Sequence, residues 1–320
     1  MIIMMLGAFL VSAGIVLILM PYYINYLKKI SFNQAVSEYS LEEYQKKAKT
    51  PTMGGVLFVI VPVLVTFLFI PKAVFDMDVA IVLLAFIGYG AIGFIDDYII
   101  VIKQDNQGLL ASHKFLLQVL LAVIFFIVYQ SHTSLDIVIP IFHTVLPLGG
   151  LYGVLIFFMF VGGSNAVNLT DGMDGLAAGC SVIALVPFLL FALQARNIAI
   201  VVFISSLLGA LIGYLRFNIH PAKIFMGDTG SLALGGSLAA LAMVLKQEVA
   251  FLFIGGVFVW ETLCVIIQIS SVKLRGKRVF RYTPIHYSFV LQGMKETKVV
   301  RSFWILSVIC AVVGFIIAVL

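Results

Sequence analysis

Between Asn165 and Gly175 the chain reads Asn-Ala-Val-Asn-Leu-Thr-Asp-Gly-Met-Asp-Gly. Two carboxylates, two carboxamides, a hydroxyl and two glycines fall within eleven residues. Asn165, Asn168 and Asp171 are spaced by three, as are Asp171 and Asp174. On a helix, each successive pair lies near one face. The glycines permit tight turning and close approach of backbone to a ligand. A polar turn with an Asp cap on the next helix explains one of these residues but not five.

Three other clusters carry comparable chemistry. Asp96 and Asp97, in Phe94-Ile95-Asp96-Asp97-Tyr98, set adjacent carboxylates at the end of an apolar run. A solvated helix end is the plain reading. Acidic groups at a helix C-terminus oppose its dipole, however, and a divalent cation or a catalytic role accounts for them better. Phe225-Met226-Gly227-Asp228-Thr229-Gly230-Ser231 opens another apolar run. Here a plain cap by Asp228 or Thr229 and a phosphate-receiving helix N-terminus are equally supported. Pro284-Ile285-His286-Tyr287-Ser288-Phe289 places one histidine after the cations Lys273, Arg275, Lys277, Arg278 and Arg281. Those cations suit anionic lipid headgroups or an anionic substrate.

Together the clusters supply what Mg²⁺-assisted phosphoryl transfer needs. Carboxylates hold the metal, and cations and helix N-termini receive phosphate oxygens. Zinc is disfavoured, because no Cys/His set has suitable spacing. Cys180, Cys264 and Cys310 lie within apolar runs and read as small packing residues.

The elements that must position these groups are membrane helices. The chain is 62% hydrophobic and 11% charged, with mean hydropathy +1.15; soluble domains run about 45–50% apolar and about 25% charged. The fold class is an all-α polytopic integral membrane protein, one transmembrane domain over 1–320. Ten apolar runs approach the roughly 20 residues a spanning helix needs: 2–26, 52–71, 79–98, 113–131, 149–165, 175–195, 197–216, 229–246, 249–272 and 302–320. Short alternating segments of the barrel kind are absent. The opening run, Met1 to Met20, has no basic leader, so a cleaved signal peptide is not expected.

With ten spans, seventeen of the twenty Lys and Arg residues fall in loops on one side, and only Lys72, Arg196 and Lys246 on the other. The basic side is assigned to the cytoplasm, with both termini outside. Every acidic cluster then lies on the cytoplasmic side. With the cations set out along a membrane face, nucleic acid is not the expected partner.

Residues 31–49 read as an interfacial helix, with Phe32, Val36, Tyr39 and Tyr44 at helical spacing and Glu42–Lys46 and Glu43–Lys47 pairs. Residues 132–148 read as a small outside hairpin with Pro140 and Pro147 at its edges, and His132 and His143 as loop residues. Gly209-x-x-x-Gly213 reads as a close-packing site. Glu261, in mid-span, reads as a structural partner near a break in the ninth span.

Asp96-Asp97-Tyr98, Asn165 to Leu176, Phe225 to Ser231 and Thr50-Pro51-Thr52-Met53-Gly54-Gly55 resemble the polyprenyl-phosphate N-acetylhexosamine-1-phosphate transferase superfamily. The resemblance covers nearly the whole chain. The Thr50–Gly55 turn, Pro284-Ile285-His286 and the stretch Gly293 to Val300 are similar to its phospho-MurNAc-pentapeptide-transferring branch. That branch transfers phospho-MurNAc-pentapeptide from UDP-MurNAc-pentapeptide to undecaprenyl phosphate. Lipid I and UMP form, with Mg²⁺ as cofactor, for peptidoglycan synthesis at the cytoplasmic face of the bacterial inner membrane. A homodimer is a further arrangement the resemblance allows.

By this resemblance Asp96, Asp97 and His286 match catalytic positions, Asp97 handling the lipid phosphate, and Asp228 matches the Mg²⁺ ligand. Asn168, Asp171, Gly172, Met173 and Asp174 match the nucleotide loop, and Phe225 the ring that stacks on uracil. Lys47, Thr52 and Lys114 match polar contacts in the cleft. The chain departs from the pattern at Tyr287 and Ser288, where the branch has two further histidines, and at Ile100, where a lysine is common and Lys103 follows one turn on. A sister enzyme using UDP-GlcNAc is the nearest alternative. A secondary transporter is the alternative of another class, but its polar breaks belong at mid-membrane depth.

Overall fold

The computed structural model describes residues 1–30, 50–103 and 108–320. The expected interfacial helix over 31–49, with Lys47, lies outside the described residues. Helices dominate, as the apolar runs require when backbone groups must be satisfied without water. In chain order they are α1 (Ile2–Ile30), α2 (Gly55–Phe69), α3 (Met77–Lys103), α4 (Ala111–Gln130), α5 (Tyr152–Phe157), α6 (Gly163–Thr170), α7 (Leu176–Gln194), α8 (Ile198–Asn218), α9 (Gly227–Val244), α10 (Glu248–Ile254), α11 (Gly256–Arg275), α12 (Ile285–Leu291) and α13 (Glu296–Val319).

Eight helical stretches among the described residues are long and apolar enough to cross a membrane. The two expected spans that fall short are informative. α2 has only 15 residues. α9 is rich in Gly, Ala and Ser, and fifteen of its 18 residues are buried. A helix enclosed by protein has no need of an apolar outer surface.

The expected span 249–272 divides at Gly255 into α10 and α11. The expected span 149–165 runs through a π-helical turn, Phe158–Gly162, into α6 and ends only at Thr170. Asn165 and Asn168 therefore sit on a helix, which fixes their direction. The hairpin is present: β1 (Asp136–Ile139) and β2 (Thr144–Pro147) pair antiparallel, with Asp136 opposite Pro147 and Ile139 opposite Thr144. At Gly209 a Cβ would lie 2.1 Å from the Phe9 carbonyl oxygen, so the small-residue spacing brings α8 directly against the α1 backbone.

The bundle has two chemically distinct ends. Met4, Lys72 and Arg196 line one cavity at the first end. Asn197 Nδ2 donates to Asp78 Oδ2 at 2.7 Å, and His132 Nε2 lies 2.9 Å from Asp78 Oδ1. Lys246 Nζ donates to the Ser134 carbonyl just before the hairpin. Both chain termini belong to this end, since Gly314 packs on Ala250 and Ile254. α3 and α9 run from or to this end, and their other ends carry Asp96, Asp97 and Asp228.

Candidate active site

The acidic cluster is built where α3 ends and α9 begins. The first residue of α9 is Gly227, and its cap residue Met226 offers no side-chain oxygen. The missing acceptor comes from α3. Asp97 Oδ1 accepts from Asp228 N at 3.0 Å, and Oδ2 accepts from Thr229 N at 2.9 Å and Thr229 Oγ1 at 2.6 Å. This corrects both readings of the Phe225–Ser231 stretch: neither Asp228 nor Thr229 caps its own helix, and those two N–H groups are taken by a carboxylate.

Asp96 points the other way. Its Oδ1 accepts from Leu109 N at 2.8 Å, and its Oδ2 lies 3.6 Å from Lys114 Nζ. Lys114, in the first turns of α4, also pairs with Asp228 Oδ2. The other oxygen, Asp228 Oδ1, accepts from Asn168 Nδ2, which also donates to Ser231 Oγ at 3.0 Å. Three residues back on α6, Asn165 Nδ2 reaches Gln118 Oε1 on α4 at 2.9 Å. Asp96, Asp97, Lys114, Asn168 and Asp228 thus converge from four helices. Lys103 is exposed at the end of α3.

The residues matched to a nucleotide loop by resemblance form an adjoining wall. Asp171 to Gly175 link α6 to α7, and Met173 and Asp174 are buried. Asp174 Oδ2 accepts from Ala222 N at 3.0 Å and lies 3.0 Å from His220 Nδ1, while Asp174 N donates to Glu296 Oε1 at 2.9 Å. Asn218 bridges the wall: its Oδ1 accepts from Gly175 N and its Nδ2 donates to the Ile224 carbonyl. Phe225 follows, and its backbone pairs with the 51–55 turn. Phe225 N donates to Pro51 O, and Gly54 N donates to Phe225 O, both at 2.8 Å. Thr52 Oγ1 and Asp97 Oδ2 crowd the site of a Cβ on Gly227, at 2.8 and 2.4 Å.

Burial, then the Asp97 charge, then the Asp174 charge push the Asp171 carboxyl well above the usual carboxylate range. The unfolded chain ionises this group at lower pH than the folded one. Stability is therefore lost as pH rises from the ordinary carboxylate value through the raised one. Asp171→Asn is expected to raise the melting temperature at neutral pH by a few degrees and to weaken its decline over that window. A scan of melting temperature against pH checks this; a lower melting temperature at neutral pH would count against the burial account.

His286 occupies a different setting from an open cleft. It is fully buried on α12, with Nδ1 2.9 Å from Glu261 Oε1. Its Nε2 sits behind Gly172, where a Cβ would come within 2.3 Å of it. Gly172 therefore lies against the Nε2 edge of the imidazole. The two departures from the histidine pattern have structural work. Tyr287 Oη donates to the Gly172 carbonyl at 3.0 Å, and Ser288 Oγ accepts from Tyr282 N and donates to Tyr282 O.

The donor set suits a divalent cation at Asp228. The Lys114 ammonium, lodged between Asp96 and Asp228, stands in for one. Hard carboxylate oxygens of this kind fit Mg²⁺. A second group, Asp174, His220 and Glu296, brings three ligand atoms within 4.8 Å of one another. It supplies one histidine with two carboxylates, a set the sequence did not reveal. The imidazole nitrogen suits Mg²⁺ poorly, and Asp174 and Glu296 bond to backbone N–H groups that hold the wall together. Sequence reasoning missed Asn218, His220 and Glu296 as positioning groups. Each lies among ordinary polar loop residues at the end of an apolar run, and none forms a motif.

Comparison with known proteins matches this sequence to a family. Residues 79–246 match Glycosyl transferase family 4, and residues 47–59 match the phospho-N-acetylmuramoyl-pentapeptide-transferase signature 1. The phospho-N-acetylmuramoyl-pentapeptide-transferase of Geobacillus kaustophilus (strain HTA426) is 46% identical over 314 residues, 98% of this chain and 97% of the relative. That of Staphylococcus carnosus (strain TM300) is 45% identical, covering 94% of this chain and 95% of its own length. That of Staphylococcus saprophyticus is 47% identical, covering 95% and 96%. The first match runs through α3, α4, α6 and α9 and the second covers the 51–55 turn, so the matched segments are those that build the cluster. The chain belongs to the phospho-N-acetylmuramoyl-pentapeptide-transferase family.

Proposed function

We propose that this membrane protein transfers phospho-MurNAc-pentapeptide from its UDP carrier to undecaprenyl phosphate, releasing UMP and forming lipid I. It does so as a ten-span, single-domain enzyme of the bacterial inner membrane, with its site facing the cytoplasm. The observation that carries the proposal is the junction of a polar phosphate-handling cluster with an apolar groove. A cavity of about 210 Å³ lies between α5–α6 and α10–α11, lined by Phe158, Met159, Ala166, Val167, Phe251 and Phe258. Val167 is followed directly by Asn168, a partner of Asp228. A polyprenyl chain in the groove brings its phosphate to that cluster.

In the proposed reaction a phosphate oxygen of the lipid attacks the β-phosphorus of the UDP-sugar in line. A new P–O bond forms, and the bond to the UMP phosphate oxygen breaks, its electron pair leaving with UMP. Lys114 balances charge on the phosphates, and Asp96 returns Lys114 toward the cluster. Asp97 holds the start of α9, which presents Asp228, and faces the lipid phosphate. Its oxygens are engaged by three donors, which favours direct displacement over carboxylate attack. Mg²⁺ held by Asp228, when bound, supplies charge neutralisation at the diphosphate. Phe225 and the Asp171–Asp174 wall take the uridine, with Thr52 as a polar neighbour.

The test uses purified protein in detergent with undecaprenyl phosphate and Mg²⁺. UDP-MurNAc-pentapeptide and UDP-GlcNAc are supplied separately, and UMP is measured. Release is expected with the first alone. Release with UDP-GlcNAc alone assigns the sister reaction, and release with neither overturns both.

A further inference from the structure

Glu261 lies fully buried in α11, six residues after the Gly255 break. A carboxylate at such a depth costs roughly 2.5–3.5 kcal/mol on insertion scales. Two donors compensate it. Ile285 N donates to Oε2 at 2.8 Å, and His286 Nδ1 lies 2.9 Å from Oε1. A carboxylate only accepts, so Nδ1 carries the proton, and the tautomer is fixed by this contact. The other nitrogen, Nε2, is buried and without a hydrogen-bond partner among the described residues. It is aimed at Gly172, the residue on which Tyr287 Oη also converges. A buried nitrogen left unpaired is costly, so its orientation is imposed from the Glu261 side.

We infer that Glu261 is a positioning residue for the nucleotide wall, acting through His286 on Gly172. The inference rests on the transferase reading, because it takes Asp171 to Asp174 as the uridine-binding segment. The imidazole is a fixed spacer between α11 and the loop. Its inner edge is held by the Nδ1 bond to Glu261, which the Ile285 N–H bond holds in turn, and its outer edge faces Gly172. The chain Glu261–His286–Gly172 sets how far the loop stands from Phe225. Neither Glu261 nor His286 reaches reacting atoms in this arrangement, so the effect falls on nucleotide affinity and not on the chemical step.

Two variants separate this from plain scaffolding. Glu261→Gln keeps the shape but turns one acceptor into a donor facing Ile285 N–H or His286 Nδ1–H. His286→Asn retains a group at the Nδ1 position and leaves nothing at Nε2. Ser288→Ala is the structural control, because Ser288 serves only Tyr282 within the same corner. UMP binding is measured by calorimetry in detergent with Mg²⁺ present, alongside melting temperature and, for Glu261→Gln, kcat and KM.

Glu261→Gln and His286→Asn are expected to weaken UMP binding about tenfold or more. Glu261→Gln keeps kcat within about threefold at saturating substrate, as loss of uniform binding requires. Ser288→Ala lowers melting temperature and leaves UMP affinity within about twofold. UMP affinity within twofold of the unaltered protein in folded Glu261→Gln and His286→Asn overturns the inference. If Glu261→Gln does not fold, His286→Asn decides alone. Failure of the unaltered chain to bind UMP overturns the nucleotide reading itself, and the inference with it. That outcome is distinguished by appearing before any substitution is made.

Discussion

Asp97→Asn is expected to lower turnover at least about 1,000-fold, within the range for a group handling a reacting phosphate, while UMP still binds. The substitution is isosteric, yet it removes the charge and gives one amide N–H to a position where three donors already point: Asp228 N, Thr229 N and Thr229 Oγ1. Two effects follow. In the proposed reaction the lipid phosphate loses the carboxylate that faces it, and the first turn of α9 loses a carboxylate cap worth about 1.5–3 kcal/mol per bond. Thr229→Val separates them. It deletes the 2.6 Å hydroxyl bond to Asp97 but leaves the carboxylate in place, and it is expected to cost stability with a much smaller loss of turnover. UMP release under saturating substrates and a thermal melt measure both. Near-native turnover in Asp97→Asn would show that this carboxylate is only a cap.

Asp228→Ala is expected to abolish the Mg²⁺-dependent part of the activity. One oxygen of Asp228 pairs with Lys114 and the other accepts from Asn168. Removing the carboxylate therefore removes the proposed metal ligand and also frees Lys114 to settle on Asp96, 3.6 Å away. In the proposed reaction the two cations that balance phosphate charge are both displaced by this one change, so its effect is expected to exceed that of any wall residue. A Mg²⁺ titration of UMP release reads this directly. A flat response near zero is expected, and activity that matches the unaltered chain across the titration would refute the assignment of Asp228.

The elements were largely legible because apolar runs report helices in lipid with little ambiguity. The hairpin was legible from Pro140 and Pro147 flanking two short runs, and the α1–α8 contact from Gly209 and Gly213. What composition could not convey was which helices meet lipid. α9 looks like a span by length, but its small residues serve packing on every side. A break in the ninth span was signalled by Glu261 but not located at Gly255, and the turn through Phe158–Gly162 was not signalled, because a glycine pair in an apolar run is ordinary. In the site, motif residues were legible where several polar groups share a short stretch, as in 165–175. The single residues that orient them were not. Glu261 stood out by depth alone, and its partner His286 lies 25 positions away in the chain. Asn218, His220 and Glu296 meet Asp174 and Gly175 only through tertiary structure. The Asp97 cap is the clearest instance: local rules assign a helix its own cap, whereas here the acceptor is 131 positions earlier.

That cap also orders how the chain can assemble. α9, taken alone, would enter a bilayer with three donors at its N-terminus and no acceptor, and with a glycine- and serine-rich surface that lipid rewards little. Its enclosing neighbours α3 and α6 precede it in synthesis. The nascent chain therefore already holds the Asp97 acceptor and the packing surface when α9 emerges, and α9 is inserted into protein instead of lipid. The Asp97 carboxylate thereby ties assembly to the candidate site: a bundle in which α3 and α9 have not docked has neither a capped α9 nor an Asp97–Asp228 contact.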